Sequence, residues 1–242
     1  MGALYKKEIL GFLGNLTGWI VIAVFLTVTG LFLWVLPGQM NVLENGYANL
    51  YGLFSLAPFV FLFLVPAVTM NSIAEEQRSG TIELLLVRPV SDSRIITAKF
   101  FAAFTLVVFA LLPTLIYYFS VWQLGFPKGD IDSGGFWGSF IGLLFLGAAF
   151  TTTGIFASAL SRNPVIAFLT AVVISAFMYM GFDFIAPFFG RNALFIQQLG
   201  ISAHYASMSR GVIDTRDVIY FLSLDILFLY SSIYLLGRRK WK

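Results

Sequence analysis

Residues 53–91 read LFSLAPFVFLFLVPAVTMNSIAEEQRSGTIELLLVRPVS, and the change of character inside them decides the fold. Residues 53–72 carry no Asp, Glu, Lys or Arg. A helix needs about 20 such residues to cross about 30 Å of hydrocarbon. Glu75, Glu76, Arg78 and Glu83 then follow within a few positions, so an apolar span emerges here into a polar surface. Working outward, five further stretches have the same length and character, at 19–36, 95–122, 136–160, 164–189 and 218–236. They are continuously apolar rather than alternating, which favours helices over a membrane barrel. The connecting segments are too short to fold separately, so residues 1–242 are read as one six-helix transmembrane domain.

Composition agrees. Hydrophobic residues make up 59% and charged residues 11%, against roughly a quarter charged in soluble domains. A soluble core of this size could not bury 27 Phe, and their exposure would leave large apolar patches. Disordered chains are poor in such residues. The chain has no Cys, which removes disulfides and thiolate sites.

Six spans put both termini on one side. That side collects Lys6, Lys7, Arg78, Arg88, Arg94, Lys99, Arg162, Arg238, Arg239, Lys240 and Lys242, eleven of the fifteen basic residues. Only Lys128, Arg191, Arg210 and Arg216 fall opposite. The positive-inside rule then places the termini in the cytoplasm. The first apolar run is long and lacks a cleavage site, so it reads as a retained span rather than a signal peptide. Ahead of it, Tyr5, Ile9, Phe12, Leu13 and Leu16 share one helical face, with Lys6, Lys7 and Asn15 off it. This predicts an amphipathic helix in the interface, although Gly11 and Gly14 weaken it.

The chain lacks the residues for chemistry of its own. His204 is the single histidine, and no G-x-S-x-G turn accompanies it. Glu75-Glu76-x-Arg78 has a superficial likeness to a glutamate protease pair but no histidines in other spans to support it. No His/Asp/Glu cluster has metal-ligand density, and nothing points to nucleic acid. A phosphate-binding loop needs Gly-Lys-Ser/Thr, and no glycine here is followed by lysine. Any ATP and Mg2+ used by this protein must be held by another chain.

The segment after the second span is punctuated. Gly80 suits a left-handed helix end. Thr81 can cap a new short helix, with Glu83 in its first turn. Pro89 disfavours helical geometry at Arg88. Ile82, Leu85, Leu86 and Pro89 share a face, which predicts a short helix suited to a partner's groove. The alternative is a solvated linker that only spaces two spans.

The stretch resembles the signature of ABC-2 type permeases, E-E-x-x-x-G-T-x-E-x-L-L-x-x-P-x-S. Glu75, Glu76, Gly80, Thr81, Glu83, Leu85, Leu86, Pro89 and Ser91 carry the match. The resemblance implies that this segment, Arg78 included, holds the coupling helix that contacts an ABC ATPase dimer. It also implies a second permease half, identical or related. More narrowly, GLFLWV at 30–35, APF and LVPAVTM within 57–70, and SRGVIDTRDVIY at 209–220 are similar to the permease of the gliding-motility ABC transporter of Bacteroidetes-type bacteria. That likeness implies a further membrane subunit. A structural scaffold and a carrier not driven by ATP are the competing classes, although inverted repeats, common in carriers, are not evident.

Two acids lie inside apolar runs, Asp183 and Asp225. Each is placed about 10 Å inside the outer boundary. Charges at such depth face the bundle or water, so the pair either lines an outer vestibule or fixes span packing. The fourth span is rich in small residues, and Gly138 and Gly142 form a G-x-x-x-G that permits close helix approach, within the bundle or at a subunit interface. Pro58, Pro66, Pro113 and Pro187 interrupt spans. Trp19, Trp122 and Trp137 near span ends read as interface anchors. Residues 190–217, with His204 and Arg210, resemble the external helical hairpin of ABC-2 exporters.

Overall fold

The computed structural model describes residues 2–81 and 91–238, and all regular secondary structure among them is helical. Glu83, Leu85, Leu86 and Pro89, and with them the expected coupling helix, lie outside the described residues. Six described stretches are long and apolar enough to cross a membrane: Gly18–Val35, Tyr51–Arg78, Asp92–Leu124, Ser133–Leu160, Pro164–Gln197 and Thr215–Arg238. They are the six expected, and all but the first run longer than the apolar windows, because helical hydrogen bonding continues into polar ends. The second and the fifth gain most, the fifth running past Asn192 to Gln197.

The chain begins with α1 (Gly2–Gly14), followed by α2 (Leu16–Gly30), which closes in a π turn at Leu31–Val35. The second span is α3 (Tyr51–Thr69) plus α4 (Asn71–Arg78). The third is α5 (Asp92–Leu111) and α6 (Leu115–Leu124), joined by a 3-10 turn at Leu112–Thr114. Pro113 opens that turn, as a residue without an N–H should, whereas Pro58 and Pro66 run through α3 unbroken. The fourth span is α7 (Ser133–Leu160). The fifth starts as α8 (Pro164–Ala176), passes a π turn, and continues as α9 (Phe182–Ile185). A 3-10 stretch around Pro187 then leads into α10 (Ala193–Gln197). A short α11 (Ile201–Met208) precedes α12 (Thr215–Arg238), the sixth span.

The fourth span is the axis of the bundle. In its membrane window 78% of residues are buried, against 17% in the fifth and 22% in the sixth. Small residues make this possible. A Cβ on Gly154 would collide with the Thr69 hydroxyl of α3, and one on Gly147 would press into Val107 of α5. Gly138 and Gly142 of the G-x-x-x-G meet Met208, Gly211 and Tyr205, so this motif packs the α11 segment of the same chain.

One expectation for α1 needs correcting. Leu4, Tyr5, Glu8, Ile9, Phe12 and Leu13 form its half-buried face. Leu16, expected on that face, is 75% exposed. Asn15 takes an extended conformation (φ −102°, ψ 150°), which ends the helical period one residue earlier. The face packs on protein: the Tyr5 and Thr105 hydroxyls bond at 3.0 Å, and Phe12 and Leu13 abut the main core. The corner is tight, since the Trp19 indole donates back to the Leu13 carbonyl at 2.9 Å.

Candidate functional site

At the end of the bundle that carries the termini, the second span breaks at Met70 for an identifiable reason. Ser158 of α7 inserts its hydroxyl into the helical ladder. Its Oγ accepts from the N–H groups of Ile73 and Ala74, both at 3.0 Å, and donates to the Met70 carbonyl at 2.8 Å. A side chain inserted between turns is a recognised cause of helix kinks. It also fastens α4 to the fourth span. The Gln77 amide adds a bond to the Ala159 carbonyl at 3.3 Å.

The polar face of α4 divides its charges. Glu75 pairs with Arg78 at 2.9 Å on the surface, a contact worth under about 1 kcal/mol. Glu76 turns inward. Lys99 of α5, only 2% exposed, donates to Glu76 at 2.8 Å and to Glu8 of α1 at 3.0 Å. One buried ammonium therefore joins three elements. Beyond Arg78 the chain turns at Gly80, whose φ of +72° is the left-handed region where glycine is favoured. The Thr81 hydroxyl faces back rather than forward, bonding Ser79 Oγ at 2.9 Å and donating to the Glu76 carbonyl at 3.5 Å. Ser91 precedes α5, and its carbonyl accepts from Arg94 and Ile95. Asp92 in the first turn complements the helix dipole. The expected coupling segment is thus flanked by α4, fastened to the third and fourth spans, and by the start of α5.

Residues 36–236 match the family described as ABC-2 family transporter protein. That covers most of the chain. The chain belongs to the ABC-2 transporter family. It is a multi-pass membrane permease of an ABC transporter, and membership implies an ABC ATPase partner. Comparison with curated proteins finds no match.

At the opposite end the permease encloses a cavity of about 580 Å3 between the second, fourth and fifth spans and α11. Phe54, Phe59, Phe136, Tyr179 and Tyr205 supply its aromatic wall, and Asp132, Ser139, Ser202 and Arg210 its polar groups. Asp132 is occupied as a cap of α7, accepting from the Gly135 N–H at 2.8 Å. Tyr205 donates to the Phe54 carbonyl at 2.8 Å. Burial raises its phenol well above the ordinary range, with Tyr179 adding to the effect, so the donor hydrogen is retained. Arg210 stands exposed at the rim. His204 does not reach the cavity lining. Its ring stacks on Tyr220 with centroids 3.8 Å apart. Nδ1 meets the Asp217 carboxylate at 2.7 Å and Nε2 the Gln198 carbonyl at 2.9 Å. Both partners are acceptors, so the ring makes both bonds only with a hydrogen on each nitrogen.

The structure separates the two intramembrane acids. Asp183 accepts from Ser202 Oγ at 2.5 Å, tying the fifth span to α11 beside the cavity. Asp225 is 8% exposed and accepts from Thr152 of the fourth span at 3.0 Å, a packing contact between the fourth and sixth spans. Asp225→Asn keeps an acceptor oxygen there, and its unfolding midpoint in detergent is expected to stay within about 1 kcal/mol of wild type. A loss of several kcal/mol would show that the charge itself is needed.

Sequence reasoning missed Glu8, Lys99, Ser158 and Thr152. Signals for the first two were present: Glu8 sits on the apolar face of α1, and Lys99 follows Ile95 and Ile96 in an apolar stripe. A lone charge on such a stripe demands a partner. Ser158 and Thr152 carried no comparable mark.

Proposed function

We propose that this permease converts ATP hydrolysis in a separate ATPase dimer into rearrangement of its spans, as part of an ATP-driven exporter. The observation that carries the reading is the fastening of α4, which leads into the expected coupling segment, to the fourth span through Ser158 and to the third through Lys99. Ser158 and Lys99 hold α4 against the bundle, and the chain turns at Gly80 after it. A push on the intervening residues would then reach the fourth span, the axis of the bundle, instead of being absorbed by a loose loop. The termini lie in the cytoplasm of a bacterial inner-membrane protein, in keeping with the eleven basic residues at that end. ATP and Mg2+ belong to the ATPase. A second permease half, identical or related, completes the unit; the largely outward-facing first, fifth and sixth spans leave surface for it.

Solubilisation in mild detergent, affinity capture and an ATPase assay test the reading. Wild-type protein is expected to bring down a Walker-type ATPase. Gly80→Val and Leu85→Asp are each expected to lower its recovery at least tenfold, about 1.4 kcal/mol of association energy, with membrane insertion unchanged. Normal recovery with both variants, or no ATPase from wild type, overturns it in favour of a scaffold or an independent carrier.

A narrower reading, service to gliding-motility machinery with a further membrane subunit, is supported by the 30–35, 57–70 and 209–220 similarities alone. Loss of gliding on deletion, with co-capture of a second membrane subunit, is its test.

A further inference from the structure

Lys99 is the most deeply buried charged group among the described residues, and through Glu76 it meets the polar end of the second span that leads into the expected coupling segment. It joins two elements that lie far apart in the sequence. Glu8 comes from α1 and Glu76 from α4, and their carboxylates bind the same ammonium at 3.0 and 2.8 Å. Glu8 and Glu76 are themselves 15% and 16% exposed at the side chain, so all three groups are largely shielded from water. Two like-charged carboxylates held around one cation stay together only while that cation is present. Other contacts of α1 at this end are softer: the hydroxyl pair Tyr5–Thr105 and apolar packing of Leu4 against the cluster that holds Ile73 of α4, Ile96 of α5 and Leu236 of α12. Apolar contacts permit sliding, whereas charge-assisted bonds fix register.

We infer that Lys99 is a positioning residue that locks α1 to α4, making the N-terminal helix a moving part of the coupling apparatus. Displacement of α4 by the ATPase is carried through Glu76 and Lys99 to Glu8, and α1 shifts with it along the interface. Glu8 is the output of this relay and Glu76 its input. The inference rests on the coupling reading above, since without a driven α4 there is nothing to relay.

Its test uses the captured permease–ATPase complex in nanodiscs. The chain has no native cysteine, so spin labels can be placed at will. One pair, Gly11→Cys with Arg162→Cys, reports α1. A Cβ at Gly11 meets nothing within 4 Å, and Arg162 is exposed. A second pair, Ser93→Cys with Arg162→Cys, reports the end of the coupling segment. Distances are measured without nucleotide and with ATP trapped by vanadate. In wild type both pairs are expected to shift. In Glu8→Ala, which leaves the Lys99–Glu76 pair intact and so keeps the fold, the Ser93 pair still shifts and the Gly11 shift is lost. Glu8→Gln, which retains an acceptor oxygen for Lys99, restores it. A Gly11 shift as large in Glu8→Ala as in wild type overturns the relay, as does a wild-type Ser93 shift without one at Gly11. Were neither pair to move in an ATP-hydrolysing complex, the coupling reading itself would fall. A merely structural role would lower the stability of Glu8→Ala without uncoupling one distance from the other.

Discussion

Valine at position 138 is expected to destabilise the permease by about 2–3 kcal/mol, the upper part of the usual range for overpacking a filled interior. A Cβ on Gly138 would lie 2.6 Å from the Met208 carbonyl oxygen and 2.7 Å from the Gly211 Cα. Both are backbone atoms, so no side chain can rotate aside. Gly211 cannot yield either. It holds φ +86°, and its own added Cβ would meet the Gly134 carbonyl carbon at 2.8 Å and the Gly135 nitrogen at 2.9 Å. The 208–211 turn must therefore lift from the fourth span, and α11 would follow. That strains the Tyr205–Phe54 bond and opens the cavity. Thermal unfolding in detergent checks the stability. Gly11→Ala is the control: on an exposed helical face it should be neutral or stabilise by up to about 1 kcal/mol. A Gly138→Val protein that melts like wild type would show that the α7–α11 contact is looser than the structure has it.

Lys99→Met is expected to be costlier still, about 3–5 kcal/mol, because removing one member of a buried ion group leaves the others uncompensated. Methionine fills much of the lysine stem's volume, so the loss is electrostatic rather than a cavity. Glu8 and Glu76 would face each other with no cation between them. The triple variant Glu8→Gln/Lys99→Met/Glu76→Gln removes the repulsion and is expected to recover most of the stability. Such non-additivity is the signature of groups that act as one unit. The comparison is read from unfolding midpoints of the four proteins: wild type, the single variant, the double Gln variant and the triple. Additive losses would mean that the three residues contribute independently and that the shared ammonium is incidental.

Much of this architecture was legible in the residues. Continuous apolar runs near 20 residues admit few solutions in a bilayer, because backbone polar groups must be satisfied within the segment; six such runs meant six helices. Gly80 marked a left-handed turn, and Pro113 and Pro187 marked irregular turns inside spans. The G-x-x-x-G at Gly138 was legible as a contact but not as to partner, which proved to be the chain's own 205–211 segment. Asp183 and Asp225 looked alike by depth. One joins α11 beside the cavity and the other a threonine of the fourth span, because helix rotation, not depth, decides what an intramembrane acid faces.

The sequence by itself determined the class and the number of spans. Each follows from local composition or one-dimensional spacing, which a single chain displays directly. Only the tertiary structure decided which charges are structural. Glu75 and Glu76 are adjacent and chemically equivalent, yet one lies on the surface with Arg78 and the other is buried on Lys99, because successive helical positions point about 100° apart. Glu8 joins them from 91 residues before Lys99, and Ser158 fastens α4 from 85 residues beyond Ile73. Bonds across such separations depend on how helices rotate and pack in three dimensions, and no local pattern records that.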